Sequence, residues 1–119
     1  MARSIVGEKS YKFAIRIVNL YKWLCEKKKE YVLSKQLLRS GTAIGALLKE
    51  AEHAQSKSDF LSKVNIALKE ANETAYWLML LKDTGYISEK EYNSVIMDAE
   101  ELIKILAAIV KTTKTKLGK

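Results

Sequence analysis

Apolar and small residues recur along Leu33, Leu37, Ser40, Ile44, Leu47, Ala51 and Ala54 at steps that alternate between four and three. That spacing is the period of an α-helix with one buried face. The phase holds across two internal glycines, Gly41 and Gly45, each of which weakens a helix by about 1 kcal/mol relative to alanine. A helix that keeps its register over such residues needs something to offset the loss, and close approach of another backbone is the simplest source. Beside the main stripe runs a second seam, Leu38, Gly41, Gly45 and Leu48. The pattern predicts one continuous helix over about residues 29–55.

Three further segments show the same period. Phe13, Ile17, Leu20, Tyr21 and Leu24 mark a first helix over about 10–25, preceded by a frayed lead-in and followed by the charged run Glu26-Lys27-Lys28-Lys29. Ser56-Lys57-Ser58-Asp59 reads as a helix start, a serine cap with an acid three residues on. Phe60, Val64, Ala67, Ala71, Thr74, Leu78 and Leu81 continue it to a glycine stop at Thr84-Gly85, giving a helix over about 57–84. Ser88-Glu89-Lys90-Glu91 is a capping box, and the fourth helix runs over about 89–113 through Tyr92, Val95, Ala99, Leu102, Leu106 and Val110. Residues 114–119 read as a basic tail.

The chain has 119 residues, no proline and five glycines. That is one domain's worth of sequence, and no repeat or low-complexity linker divides it. Four helices joined by short connections pack antiparallel, so the expected fold is all-α, an up-down-up-down four-helix bundle over 1–119. A single cysteine, Cys25, excludes an internal disulfide and points to a reducing, cytoplasmic setting. The start of the chain lacks the apolar stretch of a signal peptide, and no run is long enough for a membrane span.

The charge is uneven. Lysine and arginine number 21 against 14 acids, a net of +7. Residues 1–41 alone hold Arg3, Lys9, Lys12, Arg16, Lys22, Lys27, Lys28, Lys29, Lys35 and Arg39 against three acids, while residues 42–87 sum to −1 and residues 88–119 to +1. An antiparallel hairpin of the first two helices would join these bases into one surface. Nucleic acid, RNA or DNA, is the expected partner of such a surface, with Lys9, Lys12, Arg16, Lys22, Lys27, Lys28, Lys29, Lys35 and Arg39 as its contacts. Lys111, Lys114, Lys116 and Lys119 could add to it.

Catalytic chemistry finds little support. The sole histidine, His53, and Cys25 fall on different helices, so no nucleophile–base pair is expected. Cys25 reads as a core residue and His53 as part of the polar side of helix two. A di-metal site in a bundle needs paired Glu-x-x-His motifs, and Glu50 with His53 has no second copy. Glu50, Glu70 and Glu73 are expected instead to pair with basic residues across helices, Arg39 among them. No catalytic residue, cofactor or metal is assigned.

Apolar residues outside the core stripes suggest contacts between copies. Ile66, Trp77 and Leu80 form an extra row on helix three, and Gly41, Gly45 and Leu48 make the second seam of helix two. These six residues are the expected contact set of a homo-oligomer. The alternative is a scaffold for another protein, without nucleic-acid binding.

The stretch Gln36-Leu37-Leu38-Arg39-Ser40-Gly41-Thr42-Ala43-Ile44-Gly45-Ala46, then Glu50-Ala51, resembles the helix-two signature of the proteins encoded inside intervening sequences of bacterial 23S rRNA genes. Ser56 to Phe60, Lys63, Ala67 to Ala71, Glu73-Thr74 and Trp77-Leu78 resemble the helix-three signature of the same family. Ala43 and Leu47 depart from it where serine and asparagine are usual, and no Phe-Pro precedes helix two. The resemblance implies a bundle that assembles into a ring, a pentamer. It also implies kinship with the accessory protein of diversity-generating retroelements, and hence RNA and a reverse-transcriptase-like protein as partners. It implies no known activity.

Overall fold

The computed structural model describes residues 4–118, so Arg3 and Lys119 of the expected basic set lie outside the described residues. Within them run four helices: α1 (Ile5–Lys28), α2 (Leu33–Ala51), α3 (Lys57–Asp83) and α4 (Glu89–Lys116). Each packs on its chain neighbour, and α4 closes back on α1 through the smallest of the four contacts. The result is an all-α four-helix bundle, 47 Å long and 22–23 Å across.

The helix ends follow local chemistry. Ser56 caps α3 by accepting the Asp59 N–H at 3.0 Å. Ser88 and Glu91 close the capping box of α4, with bonds of 2.7 and 3.0 Å. Beyond α3, Gly85 takes φ +85°, a backbone state that glycine adopts without strain.

Three helices differ in extent from the sequence expectation. α1 begins at Ile5 and not near residue 10, because the Ser4 hydroxyl caps it through the Gly7 N–H and because Val6 and Ser10 are already buried. α2 is shorter than expected at both ends. Its last turn tightens at Glu52 to Ala54, where His53 and Ala54 donate to the carbonyls three residues back, and His53 is exposed beyond the helix end. α4 continues to Lys116, so Lys111, Lys114 and Lys116 are helical and not part of a free tail.

The start of α2 has a cap the sequence pattern did not reveal. Lys29 turns the chain with φ 55°, and Glu30 folds its carboxylate under the next turn. There it accepts the N–H groups of Val32, Leu33 and Ser34 at 2.8, 3.0 and 2.6 Å. These are the unpartnered donors of a helix start, met by a side chain that precedes the helix.

The core is built from the expected stripes. Phe13, Ile17, Leu24, Leu37, Ile44, Val64, Ala67, Ala71, Leu78, Leu102 and Leu106 are almost fully buried. Four hydroxyl residues, Ser10, Ser34, Ser40 and Thr74, are buried among them. Every buried side-chain polar atom among the described residues has a partner. α2 is continuous across both glycines. A β-carbon on Gly41 would stand 2.8 Å from two carbons of Ile17, which shows how closely α1 and α2 approach there.

Candidate nucleic-acid interface

The nine basic residues expected on one surface divide into two groups. Three are engaged within the chain. Lys9 pairs with Glu101 at 3.2 Å. Arg16 pairs with Asp98 at 2.7 Å and also bonds the carbonyl and hydroxyl of Ser94 at 3.2 and 2.9 Å. Both interactions bridge α1 to α4, the pair of helices with the smallest contact. Arg39 reaches from α2 to α3, bonding Glu70 at 2.8 Å and Glu73 as well.

The Arg39 cluster extends further. Trp77 donates its indole N–H to Glu73 at 3.0 Å. That hydrogen bond, with the Arg39 guanidinium beside it, holds the Glu73 carboxyl below the usual carboxylate range. The pairing of Glu70 and Glu73 with Arg39 agrees with the reading of the sequence. Glu50 similarly lies 3.7 Å from Lys63.

The other six bases, Lys12, Lys22, Lys27, Lys28, Lys29 and Lys35, make no ion pair among the described residues. Lys12 borders a shallow pocket of about 210 Å³ shared with Lys9, Arg16, Asp98 and Glu101. The remaining five gather at the end of the bundle where α1 turns into α2. Lys28 lies over the Trp23 ring at 5.4 Å, and its charge adds to the Ser88 backbone bond that lowers the Glu91 carboxyl. On the same end Lys82 lies 4.4 Å from the centre of the Tyr92 ring. Lys27 and Lys28 also occupy the last turn of α1, where cations offset the negative end of the helix dipole.

The six residues expected to join copies also divide. Gly41 is closed off by Ile17, and Leu48 is 5% exposed in the core, so neither presents surface to a second chain. Gly45 packs near Ser10 and forms part of a groove of about 730 Å³ between α1 and α2. Ile66 is exposed on α3, and Trp77 and Leu80, about three and four turns further along the helix, are half-buried. Pattern reading missed the outward apolar residues of α1, Tyr11 and Ile15, which are 62% and 47% exposed. With Val18 they sit at steps of four and three, outside the core stripe, and that spacing was the available signal. It also missed Tyr31 and Val32 at the turn, where no periodicity operates.

Cys25 is half-buried, 3.9 Å from the Ser34 hydroxyl near the start of α2. His53 lies beyond the other end of α2, roughly 25 Å away by helical rise. Among the described residues no group of three His, Cys, Asp or Glu side chains could hold a metal ion. No described helix is long and apolar enough to cross a membrane.

Comparison with known proteins agrees with the bundle and its helix-two and helix-three signatures. The profile described as 23S rRNA-intervening sequence protein matches residues 3–108. The chain belongs to this family. A solved structure from Bacteroides thetaiotaomicron VPI-5482, described as a protein with unknown function from the S23 ribosomal protein family, is 58% identical. The alignment covers 90% of this chain and 99% of that one, with a TM-score of 0.89. No curated protein matches the sequence. Neither the family description nor the Bacteroides structure names an enzymatic activity.

Proposed function

We propose that this member of the family is a non-enzymatic, oligomeric binding protein that holds nucleic acid, RNA or DNA, on the basic α1–α2 hairpin. The observation that carries the reading is the division of the bases. Lys9, Arg16 and Arg39 fasten helices to one another, whereas Lys22, Lys27, Lys28, Lys29 and Lys35 crowd one end without closing an ion pair, Lys28 acting on Glu91 only at longer range. Lysines left unpaired in this way keep their charge for phosphates, and Lys12 adds a further unpaired base on α1 beside the α4 contact. A ring of copies would repeat the basic end and raise affinity through avidity. Support for assembly comes from apolar residues that the monomer leaves outside, Tyr11 and Ile15 on α1 and Ile66 on α3. The free thiol of Cys25 fits a cytoplasmic setting.

The test is a salt titration of binding to a structured RNA and to a matched DNA duplex, at known oligomer mass. Log affinity should fall with log salt by about 0.7–0.9 for each phosphate contact. Replacing Lys27, Lys28 and Lys29 by glutamate should abolish binding while the helical content by circular dichroism stays native, with a modest loss in melting temperature because Lys27 and Lys28 offset the α1 dipole. Absence of binding by the native protein at about 50 mM salt would overturn the proposal. It would leave the second reading, a protein scaffold, which the α1–α2 groove beside Tyr11 favours. In that case neutralising the lysines would leave partner capture intact.

A further inference from the structure

We infer that the α1–α2 turn is a stacking platform for an unpaired base, with Tyr31 as its face and Lys27, Lys28, Lys29 and Lys35 as its phosphate contacts. The inference rests on the nucleic-acid reading above and adds to it the class of ligand, single strand in preference to duplex.

The turn is built to hold its backbone still. The N–H groups of Lys29 and Glu30 both donate to the Leu24 carbonyl, and the Ser34 hydroxyl donates to the Glu30 carbonyl at 2.8 Å. The Glu30 carboxylate, 7% exposed as a residue, takes the three N–H groups on the inner side. Tyr31 and Val32 are thereby turned outward, 55% and 72% exposed, next to a run of three lysines. With the backbone of the turn already fixed, stacking on Tyr31 orders only the torsions of its own side chain.

The two other tyrosines that are more than half exposed, Tyr11 and Tyr76, stand away from the lysine turn, and rings near it have partners in the chain. Trp23 lies under Lys28, Tyr92 under Lys82, and Tyr76 packs edge-on against Trp77 with centroids 5.1 Å apart. Tyr11 lies in the α1–α2 groove with Lys49 and Glu52. Tyr31 is more than half exposed at the turn where five of the unpaired lysines gather. A duplex keeps the faces of its bases within its own stack, whereas a single strand offers them. Stacking on Tyr31 therefore selects unpaired nucleic acid, while the lysines bind phosphate in either form.

The experiment measures fluorescence anisotropy of a labelled oligouridine and of an RNA duplex of the same length. The full chain is compared with Tyr31→Ala, Tyr31→Phe and the triple variant K27E/K28E/K29E, each checked by thermal melting. Tyr31→Ala should weaken oligouridine binding by at least about fivefold and duplex binding by less than about twofold, with Tyr31→Phe close to the native protein. The triple variant should lose both ligands. Equal binding of oligouridine by the native protein and Tyr31→Ala would overturn the inference while leaving the nucleic-acid reading standing. Failure of the native protein to bind either ligand would overturn both. Vesicles of phosphatidylserine and phosphatidylcholine form a control arm. Loss of vesicle binding in Tyr31→Ala, with oligouridine binding unchanged, would assign the turn to an anionic lipid surface and overturn the inference.

Discussion

Ile17 of α1 lies against the bare backbone of Gly41 on α2, so close that a β-carbon on Gly41 would come within 2.8 Å of both its Cγ1 and Cγ2 atoms. Four residues further along α2 the fit relaxes, and a β-carbon on Gly45 would meet Ser10 at 3.4 Å or more, an ordinary contact. The two glycines are therefore not equivalent. Gly41→Ala should force α1 and α2 apart and destabilise the fold by about 1–3 kcal/mol. Gly45→Ala should be neutral or stabilising by up to about 1 kcal/mol, through better helix propensity. Urea denaturation of the two variants checks the contrast.

Ser40 and Thr74 meet at the α2–α3 contact with their hydroxyls 2.9 Å apart, both fully buried. Thr74 also lies 2.8 Å from the Glu70 carbonyl. Thr74→Val should cost about 1–3 kcal/mol, because it removes the Ser40 hydroxyl's partner on α3 and leaves it only the long 3.4 Å bond to the Leu37 carbonyl, away from water. The double variant Ser40→Ala/Thr74→Val should cost less than the sum of the single changes, read in a double-mutant cycle.

Acid should loosen the α1–α2 turn. Burial pushes the Glu30 carboxyl up, but the N–H groups of Ser34, Leu33 and Val32 outweigh it and leave the group below its ordinary 4.5. A carboxyl lowered in the folded state contributes stability above its unfolded value and loses it as the pH falls through the folded value. Glu73 and Glu91 are lowered as well and act in the same direction. Stability should fall from about pH 4.5 downward, and Glu30→Gln should flatten that fall while weakening the protein at neutral pH. Thermal melts from pH 7 to 3 measure both effects.

Arg39 separates structural from binding charge. Its guanidinium is half exposed and holds Glu70 and Glu73 on α3, so Arg39→Ala should lower stability by about 0.5–1 kcal/mol, less at high salt. Nucleic-acid affinity should stay unchanged. Arg16→Ala should behave in the same way, because it removes the bonds to Asp98 and Ser94 across the α1–α4 contact. A loss of affinity with no loss of stability in either variant would return these residues to the binding surface.

Much of the bundle was legible residue by residue. Ser56 with Asp59 and Ser88 with Glu91 announced two helix starts, because a cap joins groups only three positions apart. The stripes through Ile44 and Val64 announced the core, because helical spacing repeats every few residues. The start of α2 was not legible. Its cap, Glu30, stands before the helix and reaches forward only once Lys29 has turned the chain. The start of α1 hid behind Ser4 and Gly7, a weaker signal than a serine followed three residues later by an acid.

The division between sequence and tertiary structure follows the range of the forces involved. Helix periods, caps and stops depend on neighbours three or four positions apart, and so the sequence by itself determined four helices and their antiparallel order. The excess of bases in residues 1–41 was equally visible. Which of those bases are free was decided by packing. Lys9 meets Glu101 92 positions away, and Arg39 meets Glu70 31 positions away. The same holds for Gly41, whose small size is explained by Ile17 on another helix. A charge or a missing side chain takes its meaning from what stands within a few ångströms, and only the folded bundle brings those distant residues that near.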